Sequence, residues 1–232
     1  MACIINIETS TRVCSTALSI DGVTVFNEES FEGPSHAVLL GVFVEKALAE
    51  AKAKGCVPDA VAVSSGPGSY TGLRIGVSLA KGICFGSNIP IIGLPTLKIM
   101  AHAAIGKQHD PEGIYYPMLD ARRMEVYSSC FNGTGQEIRE TKAEIIEPGF
   151  LSDIPKGKIL YLFGDGSEKC KASVSSPQVV FLDGIVPLAK DMAELAEDAY
   201  ANGLIENAAY FEPFYLKEFQ ATIAKNKVLV NL

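Results

Sequence analysis

The sequence has few residues that could bind a metal ion or act as a catalytic nucleophile. Its three histidines, His36, His102 and His109, form no H-x-x-x-H pair, and none of its six cysteines belongs to a C-x-x-C pair. Because zinc sites are built from such closely spaced ligands, we expect no metal site. The G-x-S-x-G elbow of acyl-transfer serines is also missing. We therefore expect no catalytic residue in this chain.

The chain also lacks the sequence features of exported and membrane-bound proteins. No apolar run approaches the length of a membrane-spanning helix. The start, "MACIINIETS", has no basic region and no site typical of signal-peptide cleavage. We therefore expect a cytoplasmic protein with no membrane partner, whose cysteines are reduced and mostly buried.

Basic residues are scattered along the chain instead of clustered. The formal net charge is −7 and the isoelectric point is about 5.1. Binding to RNA or DNA depends on Lys and Arg side chains grouped against phosphates. On its own, the chain is therefore expected to be a poor nucleic-acid binder.

The glycine-rich stretch "SSGPGSYTGLRIG", residues 64–76, is typical of a strand, a turn and the start of a helix. It is not a Walker A loop, because no lysine follows the glycines, and Thr71 stands where a dinucleotide fingerprint needs its last glycine. A helix N-terminus that carries Ser69 and Thr71 could still bind an anion weakly.

The order of predicted elements repeats along the 232 residues. Each half is predicted as three antiparallel strands followed by alternating helices and strands, βββαβαβα, with a hairpin turn at Asp21-Gly22. This order indicates a duplicated α/β fold with mixed sheets, helices on their faces and a cleft between two lobes. We place the lobes at residues 1–108 and 109–232, with the C-terminal helix and tail packing back on the first lobe. The second half includes predicted helices from Glu147, directly after Ser167 and over residues 186–202.

Two helices of the first lobe have more apolar surface than one core can cover. The first is predicted from Ser35, as N-cap, to Lys54, and "AVLLGVFV" within it carries no charge. The second, over residues 70–86, has two apolar stripes, one of them rich in glycine, which would let another helix approach closely. We favour a partner interface over burial within the chain. Its predicted residues are His36, Leu39, Leu40, Phe43, Gly72, Ile75, Gly76, Leu79 and Ile83.

Two carboxylates end the first strand of each half. Glu8 precedes "TSTR" and Asp120 precedes "ARR". A carboxylate at this position could hold Mg²⁺ with a nucleotide, or it could accept backbone hydrogen bonds as a turn residue. We favour the turn role for Glu8, and for Asp120 both interpretations stay open.

Several segments together resemble the TsaB family of bacterial tRNA threonylcarbamoyladenosine biosynthesis proteins. They are "INIETST", "PSHAVLL", "SSGPGSYTGLRIGVSLAKG", "LDARRMEVY" and "PFYLKE", and they run from residue 4 to about residue 217. The resemblance implies the two-lobed actin/Hsp70-like (ASKHA) ATPase fold. It also implies a non-catalytic paralogue of the transferase TsaD that lacks the paired metal-binding histidines of TsaD.

The resemblance further implies a scaffold subunit that pairs with TsaD through its first two helices and is joined by the ATPase TsaE. The complex transfers a threonylcarbamoyl group to the adenosine beside the anticodon of tRNA, which this chain would meet only indirectly. In ATPase relatives the first hairpin reads D-x-G, whereas here it reads Glu8-Thr9-Ser10. We therefore expect no tightly bound cofactor in this chain alone, and ATP or ADP with Mg²⁺ only within the complex. The candidate nucleotide or anion contacts are Thr9, Ser10, Ser69, Thr71 and Asp120.

Two further expectations remain. Without its partner, the chain would pair with a second copy through the same helices. The alternative function, from a different class, is a stand-alone ATPase or small-molecule kinase of the same fold.

Overall fold

A computed structural model describes residues 2–33, 36–147, 149–151, 154, 157–171, 174 and 176–217, and ten strands and four α-helices lie within them. The strands are β1 (Cys3–Glu8), β2 (Cys14–Ile20), β3 (Val23–Ser30), β4 (Ala60–Gly66), β5 (Ile91–Pro95), β6 (Ile114–Asp120), β7 (Glu125–Asn132), β8 (Glu137–Ile145), β9 (Leu160–Phe163) and β10 (Val179–Leu182). The helices are α1 (His36–Ala53), α2 (Tyr70–Ser87), α3 (Thr96–Gln108) and α4 (Ala193–Ala201), and two 3₁₀ helices span Ser167–Cys170 and Ala189–Met192.

The strands form two five-stranded mixed sheets with the same topology. The first has the order β3-β2-β1-β4-β5, and the second has the order β8-β7-β6-β9-β10. In each sheet the first three strands of the repeat are antiparallel, and the next two lie parallel to the first. The two sheets therefore carry the duplicated, mixed pattern predicted from the order of elements.

Local sequence explains which strands of the first sheet are central and which lies at its edge. The apolar runs of β1 and β4 are buried on both faces, which suits central strands covered by helices on either side. By contrast, β3 is only partly buried and lies at the edge. The predicted hairpin turn is present, since Asp21 and Gly22 have φ angles of 53° and 73°, the left-handed pair of a type I′ turn.

Helices cover both faces of the first sheet. On one face, α1 and α2 pack against β1, β2 and β4 in a core that includes Leu40, Phe43 and Val77. On the other face, α4 and the 3₁₀ helix before it pack on β1 and β2. Helix α3 has its Ile99 in that second core, while its Leu97 and Met100 belong to the core of the second sheet. None of the described helices is long and apolar enough to span a membrane.

Three local predictions for the second half are corrected. The helix predicted from Glu147 is not formed in the described residues there, since residues 149–151 make turns. The helix predicted after β9 is a single 3₁₀ turn. The helix predicted over residues 186–202 begins only at Ala189, as a 3₁₀ turn that continues into α4. The predicted N-cap of α1, Ser35, and the tail beyond Lys217 lie outside the described residues.

The described C-terminal segment, residues 204–217, runs along the first sheet and reaches the second. Glu206 forms a bridge to Ile91 of β5, and Phe211 is buried against Gly93. The Lys81 ammonium of α2 donates hydrogen bonds to the carbonyls of residues 209 and 211, both at 3.1 Å. At the end of the segment, Lys217 pairs with Glu125 of β7. This segment therefore connects α2 to both sheets.

Two glycines of α2, Gly72 and Gly76, face the β1–β2 turn of their own chain. A Cβ on Gly72 would overlap the carbonyl oxygen of Thr9, and one on Gly76 would overlap the Thr9 hydroxyl. Both glycines are buried within the chain. The prediction that they let a partner helix approach is therefore corrected: their small size lets α2 lie directly on residue 9. Gly82, farther along the helix, is exposed, and a Cβ there would meet nothing within 4 Å.

The same substitution at two glycines of α2 should change stability in opposite directions. Gly72→Ala should lower the free energy of unfolding by about 3 kcal/mol, because the backbone of Thr9 must move. Gly82→Ala should raise it by roughly 0.5 to 1 kcal/mol, because alanine favours the helix and nothing lies in its way. Urea unfolding followed by circular dichroism measures both, and equal effects at the two positions would contradict the packing described here.

Candidate functional site

The outer face of α1 and α2 carries large apolar side chains in contact with solvent. Val38 and Val42 on α1 are 74% and 46% exposed, and Phe85 on α2 is 90% exposed. We call these residues, with the exposed Gly41 and Gly82, the α1–α2 face. A shallow groove lies between the first turns of the two helices, lined by Ala37, Tyr70, Thr71, Arg74, Ile75 and Ser78. The two helices thus offer an apolar surface next to a partly polar groove.

The residues predicted for a partner interface fall into four environments. Leu39, Ile75, Leu79 and Ile83 are half-buried at the edge of the first core, so part of each side chain is exposed. Leu40 and Phe43 lie inside that core, and Gly72 and Gly76 lie against Thr9. His36 is buried, with its Nε2 3.2 Å from the carbonyl oxygen of Val13. The structure therefore brings the half-buried group to the surface and places the others within the chain.

The most exposed members of the face, Val38, Val42 and Phe85, were not among the predicted residues. The signal for the first two was present, since they belong to the uncharged run "AVLLGVFV". A run that is apolar on all sides does not indicate which of its sides meets the core. That choice follows only from the packing of α1 on β2.

A second group of predicted residues surrounds the β1–β2 turn. Thr9 and Ser10 are buried there, and the Thr9 hydroxyl donates to the Gly72 carbonyl of α2 at 2.8 Å. The backbone N–H of Ser69 donates to the Ser10 carbonyl at 2.6 Å, and the Ser69 hydroxyl accepts from the Gly72 N–H as the N-cap of α2. These hydrogen bonds hold Thr9, Ser10 and Ser69 together, while Thr71 lies exposed in the first turn of α2.

Glu8 lies beneath this turn and is fully buried. Its carboxylate accepts hydrogen bonds from the backbone N–H and the hydroxyl of Ser10, both at 2.5 Å. The favoured turn role of Glu8 is therefore observed. Burial raises the pKa of Glu8 to about 7, and the hydrogen bonds from Ser10 only partly offset this rise.

Asp120 occupies the equivalent position in the second sheet but has a different environment. Its carboxylate is partly exposed, accepts from the Arg122 N–H at 2.6 Å and pairs with the Lys169 ammonium at 2.5 Å. Partial burial acts to raise the pKa of Asp120, but the Lys169 and Arg122 hydrogen bonds outweigh it and lower that pKa. Asp120 is thus a turn residue with an ion pair, on a different sheet from the other four candidate anion contacts.

The described part of the chain contains no group of three or more His, Cys, Asp or Glu side chains placed to hold a metal ion. What the arrangement offers chemically is therefore a contact surface on α1 and α2 and a buried carboxyl group under the β1–β2 turn. The three histidines are dispersed: His36 contacts Val13, His102 lies 3.3 Å from Glu194, and His109 ends α3.

Replacing Glu8 should remove one source of pH dependence in the stability of the fold. Because the folded-state pKa lies above the ordinary value of 4.5, the stability from the protonated group is present at low pH and is lost as pH rises through 7. Between pH 5 and pH 8, the wild type should therefore lose about 2 to 3 kcal/mol more unfolding free energy than Glu8→Gln. Urea unfolding of both proteins at the two pH values measures this difference.

The control is Asp120→Asn, which removes a carboxylate from the equivalent turn. Because the pKa of Asp120 is lowered, its contribution is complete across this pH range and is lost only under more acidic conditions. The control should therefore keep the pH dependence of the wild type between pH 5 and 8. If the unfolding free energy of Glu8→Gln changed between pH 5 and pH 8 as much as that of the wild type, Glu8 would be ionised in the folded protein throughout this range.

Comparisons with known proteins agree with this fold. A family model described as "TsaD: tRNA N6-adenosine threonylcarbamoyltransferase" matches residues 32–153. Two TsaB proteins, from Escherichia coli and Haemophilus influenzae, are each 30% identical to the chain; the first match covers 92% of this chain and 94% of the relative, the second 91% and 92%. YeaZ from Pseudomonas aeruginosa superposes with a TM-score of 0.78 at 27% identity, over 93% of this chain and all of that one.

These matches confirm the duplicated fold predicted from the sequence. A second Pseudomonas aeruginosa structure, of a protein similar to the peptidase YEAZ, has a TM-score of 0.80 at 26% identity over 94% of this chain and all of its own. With two relatives at 30% identity over nearly their full length, the family is established. The chain belongs to the TsaB family of tRNA threonylcarbamoyladenosine biosynthesis proteins.

Proposed function

We propose that this chain is a non-catalytic subunit in the biosynthesis of threonylcarbamoyladenosine in tRNA, and that it pairs with a TsaD-type transferase through the α1–α2 face. The observation that carries the proposal is the exposure of Val38, Val42 and Phe85 on adjacent helices. The curated TsaB relatives are named for this biosynthesis, and the matching family model is that of the transferase.

The energetics of the face support a partner. Fully burying one Val or Phe side chain gains roughly 1.5 to 3 kcal/mol. Because three such side chains are exposed to water here, burying them against a partner's apolar surface would stabilise the complex. Interfaces of this kind have an apolar, often aromatic centre, and Phe85 provides an aromatic side chain. A helix pair with a matching apolar surface is the simplest complement.

The division of labour follows from the groups available in this chain. Its carboxylates at the two first turns are engaged internally, Glu8 with Ser10 and Asp120 with Lys169. We therefore assign the transfer itself to the TsaD-type partner, and nucleotide turnover to a TsaE-type ATPase that joins the pair. ATP or ADP with Mg²⁺ would bind within that assembly. Because the net charge of this chain is −7, most contacts with tRNA would come from the other subunits. The assembly would act in the cytoplasm.

A charge placed on the α1–α2 face should prevent pairing without unfolding the chain. Val38→Asp should weaken binding to the purified TsaD-type partner by about 100-fold or more, because a carboxylate would be desolvated in the interface. Leu204→Asp is the control, since Leu204 is 67% exposed but follows α4, which packs on the opposite face of the first sheet. Isothermal titration calorimetry measures the affinities, and circular dichroism verifies that both variants are folded.

Equal affinities for the wild type and a folded Val38→Asp protein would place the partner elsewhere. The same pair of variants tests self-association in the absence of a partner. If the face pairs with a second copy, light scattering should show a dimer for the wild type and for Leu204→Asp, and a monomer for Val38→Asp.

The role in the pathway is tested by mass spectrometry of nucleosides from total tRNA. Cells depleted of this chain should lose threonylcarbamoyladenosine, and the modification should return with the wild type or Leu204→Asp but not with Val38→Asp. An unchanged level after depletion would contradict the proposed function. ATP hydrolysis by the isolated chain would then favour the alternative of a stand-alone ATPase.

A further inference from the structure

Two cysteine sulfurs are in contact at the start of the first sheet. Cys3 begins β1, Cys56 lies in the connection between α1 and β4, and their sulfur atoms are 3.1 Å apart. A disulfide bond has a length of about 2.05 Å, so the sulfurs need to approach by only about 1 Å to become bonded. Other buried cysteines have different neighbours: the thiol of Cys84 donates to the Pro90 carbonyl, and that of Cys170 lies against the Met118 sulfur.

Backbone hydrogen bonds hold the two cysteines in place. The N–H of Cys3 donates to the Asp59 carboxylate at 2.8 Å, and the N–H of Asp59 donates to the Cys3 carbonyl at 2.7 Å. Both the N–H and the thiol of Cys56 donate to the carbonyl of Ala51, in the last turn of α1, at 3.0 and 3.3 Å. The contact between the sulfurs is therefore fixed by the strand on one side and by the end of α1 on the other.

We propose that Cys3 and Cys56 form a disulfide when the chain meets hydrogen peroxide, which makes this pair an oxidation site outside the α1–α2 face. Cys56 is half-buried and can meet the oxidant, whereas Cys3 is 4% exposed. Burial also raises the pKa of Cys3 to about 12, which keeps Cys3 a thiol. Cys56 is thus the sulfur that reacts first, and Cys3 is the resolving sulfur.

The reaction balances in two steps. The Cys56 sulfur attacks one peroxide oxygen, an S–O bond forms as the O–O bond breaks, and the departing hydroxide takes the thiol proton to become water. The Cys3 sulfur then attacks the Cys56 sulfur, an S–S bond forms as the S–O bond breaks, and the second hydroxide leaves as water with the Cys3 proton. Two thiols lose two electrons to one peroxide. Contact between the sulfurs makes the second step intramolecular.

The disulfide would connect the first strand to the segment that follows α1. It closes a loop that includes all of β2, β3 and α1, which restrains the unfolded chain and raises the temperature of unfolding. It also removes the Cys56 S–H donor from the Ala51 carbonyl at the end of α1. Oxidation at this pair therefore acts on the helix that carries Val38 and Val42, from the opposite end.

The experiment is peptide mapping of the full-length wild type after treatment with hydrogen peroxide. Remaining thiols are alkylated, and the protein is digested with trypsin without reductant. We expect a linked species of residues 1–12 and 55–74, with a mass about 2 Da below the sum of the two peptides, that separates on reduction. Sulfinic or sulfonic acid at Cys56 without this link, alkylation of both cysteines, or a link to a different cysteine would each overturn the proposal.

Two variants give a matched comparison. Cys56→Ser should lose the link and show no rise in unfolding temperature after peroxide treatment, whereas Cys84→Ser, which changes a buried cysteine with a carbonyl neighbour, should keep both. A Cys56→Ser protein whose unfolding temperature still rises would mean that another modification stabilises the chain. The peptide map of the wild type decides the question even if a variant does not fold.

Discussion

The contact between α2 and the β1–β2 turn determines how the first half of the molecule is built. Gly72 and Gly76 lie against Thr9, the Thr9 hydroxyl donates to a carbonyl of α2, and the N-cap Ser69 donates its N–H to Ser10. Because a side chain at either glycine would overlap Thr9, the helix can lie across the end of β1 only with glycine there. This position of α2 covers one face of the first sheet together with α1, and it leaves the remaining apolar side chains of both helices pointing to solvent.

The same contact explains why two equivalent carboxyl groups behave differently. Glu8 and Asp120 end the first strands of repeats with the same topology. Over Glu8, α2 and its glycine turn exclude water, so the pKa of Glu8 rises to about 7. In the second repeat, a 3₁₀ turn of four residues stands where the first has α2, and the described residues after β8 form turns. Asp120 therefore stays partly exposed, finds Lys169 as a counterion, and has a lowered pKa. The topology of the sheet determines where each carboxylate lies, and the elements packed over it determine its pKa.

The sequence was sufficient to predict the duplicated topology, the central strands and the hairpin at Asp21-Gly22, because each rests on a local pattern of apolar residues or turn residues. It was insufficient to orient α2. Two apolar stripes were visible on the helix, but a helical wheel does not state which stripe meets the chain's own sheet. Gly72 and Gly76 of the glycine-rich stripe were predicted to face a partner and instead face Thr9. Ile75, Leu79 and Ile83 of the same stripe are half-buried, and Phe85 is the exposed side chain. The helix predicted from Glu147 was wrong in the described residues, since residues 149–151 make turns from which Phe150 and Leu151 already pack, half-buried, against the core of the second sheet.

The C-terminal segment completes this argument, because it determines which part of α2 is free. Lys81 donates to two carbonyls of the segment, Arg74 donates to the Tyr215 hydroxyl at 3.4 Å, and the rings of Tyr70 and Tyr215 lie 4.9 Å apart. The polar side of α2 is therefore occupied by its own chain, and its inner side by Thr9. What remains is the side that carries Phe85, adjacent to α1. Contacts with the C-terminal segment and with Thr9 fix α2 before a partner binds. The entropy cost of ordering the helix on association is therefore small. The apolar face is thus a consequence of how completely the other sides of α2 are used within the chain.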